Sequence, residues 1–474
     1  MFKFVNRGSE LKLIDEAIKK GRLIIVYGRR RIGKTRLLLE FIRRYHGKVL
    51  YHLCIDEPVE LTLNRISRKL YQLFNDETLL YRPISSFDEF LNYVSGKELV
   101  IVFDEFPVLV KRYPRIVGLL QEYIDLSGNT GTPIILCGSY VSMIEDLVSY
   151  ASPLYGRRSY TLKVGPLAFH YLREFFPGKD WIELAYIYSV TDGIPEYILW
   201  FDEKLSFKEN LLKNVLRKGC YFYEEAEQLL RYELRDLAVY NAILQALAAG
   251  YRRLGEICSK TGIDRSKVNK YLMVLKELDI IDYIQPIHLS NKNKLKAKNR
   301  LYFIKDNYFN FYYKYIFPNK DLLEQELVDK VLEYVLRDYD NYMGFVFEKI
   351  AKQLLIELSR RGVLQSSFYR IGKYWSKDVE IDLVTIDRDK HVTVYEVKWK
   401  KLSRRDVSRI IAGLKKKIEK TPWARDYKVN YGIIAREYTE PMDEFIEKGN
   451  IILELKDYSK VGWKTSYINN FWKK

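Results

Sequence analysis

Residues Gly28 to Thr35 read GRRRIGKT, between the apolar run LIIVY (23–27) and a helix-like continuation. The spacing G-x-x-x-x-G-K-[ST], placed after a strand and at the opening of a helix, constrains this chain more than any other feature. Gly28 and Gly33 let the backbone curl so that successive amides converge on one point. The following helix adds the positive end of its dipole. Together they make an anion cradle, the phosphate-binding loop of nucleotide-binding proteins. Lys34 is placed to neutralise β- and γ-phosphates and Thr35 to ligate magnesium. Arg29, Arg30, Arg31, Ile32 and Arg36 complete the loop. ATP with Mg2+ is the expected ligand.

The sequence VIVFDEF (100–106) is the expected second half of such a site. Four apolar residues make a buried strand, and the carboxylates appear where it leaves the sheet. Asp104 is expected to hold magnesium, and Glu105 to orient and deprotonate the attacking water. In ILCGSY (135–140), Ser139 either senses the γ-phosphate or is an ordinary turn serine. Arg157 and Arg158 of GRR (156–158) are candidates for an arginine finger, or else a solvated basic turn. Strand-like LIIVY, KVLYHL (48–53), LVIVF (99–103) and PIILC (133–137) alternate with helix-like stretches such as LTLNRISRKLYQLF (61–74). β-branched runs alternating with helices predict a parallel sheet covered on both faces.

The pattern turns helical from about 171 to 235. LAVYNAILQALAAG, RLGEICSKTG and DRSKVNKYLMVLKELD then read as three helices, and two strand runs flank the basic stretch NKNKLKAKNR (291–300). This is the order of a winged helix-turn-helix. In the third helix Val268, Leu272, Leu275 and Leu278 keep helical spacing, while Arg265, Lys267, Asn269, Lys270 and Tyr271 fall opposite. One face packs and the other suits a major groove. Lys292, Lys294, Lys296, Lys298 and Arg300 suit phosphates on a wing. A winged helix used only for protein contacts is the alternative. The net charge of +17 favours a polyanionic partner such as DNA, or reflects general solubility.

An acidic stretch (LLEQELVDKVLEYVLRDYD) reads as a connector over 321–341, and a further α/β unit follows. Glu348 lies on a helix, Asp382 in VEIDLV, and Glu396 and Lys398 in YEVKWK. Positions i and i+2 of a strand face one side, so Glu396 and Lys398 project together, with Asp382 on a neighbouring strand. Such carboxylates, Asp382 and Glu396 above all, suit magnesium and phosphodiester chemistry, with the lysine orienting water. A decayed site of this kind or a surface Glu/Lys alternation is the alternative.

Four cysteines lack metal-ligand spacing, and with five histidines a zinc site is not expected. No run approaches the roughly 20 apolar residues that span a bilayer. The N-terminal segment has no apolar core or small-residue cleavage site. A cytoplasmic protein without membrane contact is expected.

FVNRGSEL, the phosphate loop, VFDEF, CGS, PLYGRR and DGIPEY together resemble the archaeal ATPases of the STAND-like branch of AAA-related P-loop proteins. That resemblance covers about residues 1–300. It implies that the segment holding Asn6 and Arg7 lies near the adenine. It also implies that Pro195, in the Gly-x-Pro at 193–195, lies in a helical lid close to the nucleotide. The order Glu348, Asp382, Glu396-x-Lys398 resembles the PD-(D/E)XK nuclease superfamily over about 340–456, with Ile381 where a proline often stands. The expected organisation is an α/β multidomain chain. A P-loop NTPase parallel sheet (1–170) precedes a helical lid (171–235), a winged helix-turn-helix (236–320), a helical connector (321–341) and a restriction-endonuclease-like α/β domain (342–474). The expected function is an ATP-hydrolysing switch that engages DNA and carries a magnesium-dependent nuclease-like site. Alternatives are a DNA- or protein-binding ATPase regulator without nuclease activity, and a signalling or defence scaffold that forms nucleotide-dependent homo-oligomers.

Overall fold

The computed structural model describes residues 4–20, 23–127, 131–147, 149–234, 236–287, 300–364 and 367–461. They fall into two compact units. Of the described residues, one comprises those up to Pro166 together with Ile194–Glu196; the other comprises Leu167–Gly193 and those from Tyr197 to Val461.

In the first unit, helix α1 (Gly8–Lys20) precedes β1 (Leu23–Tyr27), α2 (Lys34–Arg44), β2 (Lys48–Leu53), α3 (Val59–Phe74), β3 (Leu99–Asp104), α4 (Phe106–Arg112), α5 (Ile116–Leu126), β4 (Ile134–Gly138) and β5 (Tyr160–Lys163). The strands form one parallel sheet in the order β2-β3-β4-β1-β5. β1, β3 and β4 are central and nearly all buried. This is why their sequences are unbroken apolar runs rather than alternating ones. Leu63, Ile66 and Leu70 of α3 share a core with Leu50, Ile101 and Phe103. β5 was not expected from the sequence. YTLK is a short edge strand with alternating burial, so it leaves no apolar run.

The second unit includes α6 (Trp181–Thr191), three helices α7 (Leu237–Ala248), α8 (Leu254–Thr261) and α9 (Arg265–Glu277), and an antiparallel pair, β6 (Ile281–Ile284) with β7 (Leu301–Ile304). Next come α10 (Val328–Arg360), β8 (Arg370–Trp375), β9 (Glu380–Ile386), β10 (His391–Leu402), α11 (Arg404–Glu419), β11 (Lys428–Tyr438) and β12 (Ile451–Glu454). The five strands β8 to β12 lie in sequence order. β8, β9 and β10 are antiparallel, and β10, β11 and β12 parallel. Val392 and Val394 of β10 share a core with Leu414 and Ile418 of α11. Trp399 packs on Phe347 of α10 instead. The pleat of β10 thus serves two helices.

Two features of the second unit bear on the boundaries expected from sequence. Residues 328–341 of the expected connector and the helix after it are one 33-residue helix, α10, whose buried face runs unbroken from Val331 through Tyr339, Met343 and Phe347 to Leu358. Its acidic exposed side resembled a linker only because the apolar stripe was narrow. The stretches expected as separate lid, winged-helix and C-terminal domains share one compact unit. Tyrosines tie them together. Tyr342 donates to Ser189 O (2.7 Å) and Asn307 O (3.0 Å), and Tyr308 to Phe222 O (2.6 Å). Tyr186 meets Trp399 edge-on.

Asp192, left-handed at φ 51°, closes α6 and is buried. Its carboxylate pairs with Lys349, which also donates to Lys305 O (3.0 Å). Burial pushes the Asp192 carboxyl up to about 6, against the pull of the Lys349 ammonium. A carboxyl raised in the fold loses stabilising free energy as pH rises from its unfolded value through about 6. Removing the ammonium leaves a buried charge without a partner. Lys349→Met should therefore lower the melting temperature more at pH 8 than at pH 5, as thermal unfolding followed by circular dichroism would show. An equal loss at both values would contradict this account.

Candidate nucleotide and carboxylate–lysine sites

The phosphate loop runs from the end of β1 into α2. Gly28 is forced, because a Cβ there would lie 2.4 Å from Val164 O. Arg31 and Gly33 are left-handed, at φ 70° and 91°, which turns the loop back on itself. Lys34 is buried, and its Nζ donates to Gly28 O (2.8 Å) and Arg29 O (3.1 Å). Burial lowers its pKa, partly opposed by nearby acidic groups that include Glu105 and Asp104. Ile32 is buried and Arg36 exposed. The Arg30 guanidinium lies 5.5 Å from the Tyr140 ring centre, and Lys111 Nζ approaches the same ring to 4.1 Å.

Asp104 is buried at the end of β3. Its Oδ2 accepts from Thr35 Oγ1 (2.7 Å) and from the Tyr51 hydroxyl (3.0 Å), and its Oδ1 from Glu105 N (3.0 Å). Burial and the Asp104 charge push the Tyr51 hydroxyl far up, so it stays a donor. Glu105 takes a left-handed φ of 53° and turns toward β4. There Ser139 Oγ donates to Glu105 Oε1 (2.5 Å) and Ser139 N to Oε2 (3.3 Å). Lys34, Thr35, Asp104, Glu105 and Ser139 are thus within one linked set.

The flanking residues are placed differently. Asn6 and Arg7 are both left-handed. The buried Arg7 guanidinium donates to Ile32 O (3.1 Å), Gly165 O (2.7 Å) and Glu10 Oε1 (2.9 Å), clamping the loop from behind. Pro195 lies beside the loop: a Cβ on Gly33 would meet its ring at 3.7 Å. Arg157 makes a bidentate pair with Asp125 of α5 (2.7 and 2.8 Å), so the structure does not bring it to the loop. Arg158 is half-buried next to it.

On α9, Val268, Leu272 and Leu275 are buried. Arg265, Lys267 and Lys270 are exposed and Asn269 is half-buried. Tyr271 packs edge-on against Tyr240. Lys292, Lys294, Lys296 and Lys298 lie outside the described residues. Arg300 stacks on the Tyr283 ring at 4.3 Å, and Lys276 reaches the same ring.

The second cluster forms where β9 and β10 part. Their pairing ends at Leu383 with Tyr395. Beyond it the Asp382 carboxylate accepts from Val397 N (2.9 Å), taking the place of the missing ladder bond. Glu396 receives Lys398 (2.8 Å) on one oxygen and Lys417 of α11 (2.9 Å) on the other. Glu348 of α10 pairs with Lys373 of β8 (3.2 Å), which also reaches Glu380 (3.0 Å). Burial, then the Glu396 charge, raises the Asp382 pKa. Burial raises that of Glu348, with Lys373 opposing. For Glu396, burial is outweighed by the Lys398 and Lys417 hydrogen bonds, and its pKa falls. Two carboxyls that resist ionisation therefore face one that favours it.

Lys373, Lys417 and Arg252, whose guanidinium lies 5.2 Å from the Phe345 ring centre, were not expected here. Lys373 stands at a register irregularity of β8 between Gly372 and Tyr374, where strand parity gives no signal. Lys417 sits in a run of three lysines, and only its phase beside buried Ile418 distinguishes it. Among the described residues, one group of three metal-ligating side chains comes within 4.8 Å: Asp387, Asp389 and His391 in the β9–β10 turn. Asp387 there is occupied by the Asp389 and His391 amides. No helix among the described residues is long and apolar enough to cross a membrane.

A family model described as an ATPase domain predominantly from Archaea matches residues 4–201. A second, described as "Archaea bacterial proteins of unknown function", matches 312–410. An uncharacterized protein of Methanocaldococcus jannaschii is 38% identical over 463 residues, covering 96% of this chain and all of the relative. Among solved structures, the Walker-type ATPase of Pyrococcus abyssi is 20% identical, with a TM-score of 0.48 over 66% of this chain and 96% of that one. The ORC2 protein of Aeropyrum pernix, in ADPNP–ADP complexes, is 14% identical, with a TM-score of 0.45 over 71% and 96%. The linked loop, Asp104 and Glu105 therefore stand in a chain that belongs to the archaeal ATPase family, enzymes that hydrolyse ATP.

Proposed function

We propose that this ATPase uses its nucleotide state to control engagement of DNA by the second unit, and that the carboxylate–lysine cluster there is a magnesium-dependent nuclease-like site. The observation that carries this reading is convergence. Glu348, Asp382, Glu396 and Lys398 lie on three different elements, yet Lys398 reaches both Glu396 and, at 4.0 Å, Asp382. The segment from α7 to β7 is read as a winged helix-turn-helix, with the exposed Arg265, Lys267 and Lys270 toward the duplex. It belongs to the same compact unit as the cluster, and Ile287 N donates to Lys373 O (2.8 Å) beside it. DNA held by α9 would meet a cluster fixed to the same scaffold.

Magnesium fits both places by donor chemistry, since hard cations take oxygen ligands. Thr35 and Asp104 would hold it with ATP; Asp382 and Glu396 would hold it in the second unit. There the ion would supply charge and an acidified water. In the ATP site, Lys34 binds phosphate oxygens and Glu105 takes a proton from the attacking water. Ser139, now the partner of Glu105, would turn to the γ-phosphate and release that carboxylate. In the second site Lys398 orients water or offsets charge on the phosphodiester. A DNA-binding ATPase that does not cut is the second reading. It is favoured by the lysines that occupy Glu348 and both oxygens of Glu396.

Glu105→Gln should bind ATP normally and lose turnover by about 10²-fold or more, while Lys34→Ala should lose nucleotide affinity. Normal hydrolysis by Glu105→Gln would refute its role as base. With magnesium, the wild type should cleave at least one of linear, branched or single-stranded DNA, and Asp382→Ala and Lys398→Ala should not. Cleavage that survives both substitutions would sink the assignment. Salt-dependent binding without cleavage of any of the three would establish the second reading.

A further inference from the structure

Helix α11 carries a basic surface outside both sites. Ser403 caps it by accepting from Asp406 N, and Val407, Ile411, Leu414 and Ile418 bury its inner face. With 3.6 residues per turn, Arg405, Arg409 and Lys416 fall on the opposite face, followed by Lys420 just past its end, and all four are exposed. Ala412 and Gly413 lie between them; Asp406 and the exposed Glu419 border the stripe on its two edges, leaving basic side chains in excess along it. Arg409 is 82% exposed, with Asp406 at 3.7 Å as a weak surface partner. A helix-interior glycine is unfavourable, and the fold does not require this one: a Cβ on Gly413 would meet nothing within 4 Å. The gap at 412–413 lets an extended backbone approach the helix between its basic ends. On the flank, Lys417 reaches Glu396, so the stripe borders the carboxylate–lysine cluster.

We infer that this face of α11 is a track for the phosphate backbone of duplex DNA, leading to the Glu396–Lys398 cluster; the inference rests on the DNA reading above. From Arg405 to Lys420 the track spans about 22 Å, along which one strand of a duplex presents about six phosphates. Exposed apolar side chains larger than Ala412 are missing from the helix, whereas insertion into a lipid surface needs Trp, Phe or Leu on one face. Arg and Lys without base-reading partners give affinity without sequence preference.

The test uses the full chain and a mixed-sequence duplex of about 30 bp, with binding measured over a salt series. R405A/R409A/K416A/K420A should weaken binding at least about tenfold and lower the slope of log affinity against log salt by about 3. ATP turnover and melting temperature should not change. R405K/R409K/K416R/K420R, which keeps the charge, should retain the wild-type slope. If the wild type shows salt-dependent binding and the alanine variant matches it, the track is wrong and the DNA reading stands. If the wild type itself shows no salt-dependent duplex binding, the DNA reading fails and takes the track with it. If the alanine variant loses binding to anionic vesicles but not to duplex, the face serves a membrane and the inference is overturned.

Discussion

The buried carboxylate of Asp104 organises the nucleotide-binding unit. A carboxylate removed from water is tolerated only where donors replace its hydration. Three do so here, from three different pieces of chain: the Thr35 hydroxyl at the start of α2, the Tyr51 hydroxyl on β2, and the Glu105 amide. The phosphate loop and the acidic strand are therefore held in register by one side chain. The left-handed turn at Glu105, strained for a residue with a Cβ, places one of those donors. It also sends the Glu105 carboxylate toward Ser139. Arg7 closes the loop from the other side through the carbonyls of Ile32 and Gly165.

A different solution holds the second unit together. Its interior is rich in tyrosine, which brings a large apolar ring and a hydroxyl that must find a partner. Tyr308, Tyr342 and Tyr458 are fully buried, and their hydroxyls reach backbone carbonyls. Tyr315 satisfies Asp338 and Tyr313 satisfies Asn241. Each such bond ties one segment to another far away in sequence. Helical stretches, the α7–β7 segment and the β8–β12 sheet consequently form one body.

Much of the nucleotide site was legible because its chemistry is local in sequence. GRRRIGKT carries turn, helix start and functional groups within eight residues, and VIVFDEF carries strand, turn and carboxylates within seven. Long-range effects were not legible. Composition alone showed many tyrosines but could not pair Tyr342 with Ser189, 153 residues away. The acidic exterior of α10 obscured a continuous buried stripe. In the second cluster the residues of the E-x-K strand were readable by parity. Lys373 and Lys417 were not, because their partners are set by how β8 and α11 dock on the sheet. Arg157, a candidate by position alone, was already answered by Asp125.

One consequence follows from the neighbours Glu348 and Lys349 on α10. The first faces Lys373 in the carboxylate–lysine cluster, and the second faces Asp192 at the end of α6. Adjacent helical residues are fixed 1.5 Å apart along the axis and about 100° apart around it. A rotation or slide of α10 that adjusts one contact must displace the other by a comparable amount. The two charge pairs therefore behave as teeth on a single shaft, and neither can be retuned by moving the helix without re-cutting its neighbour.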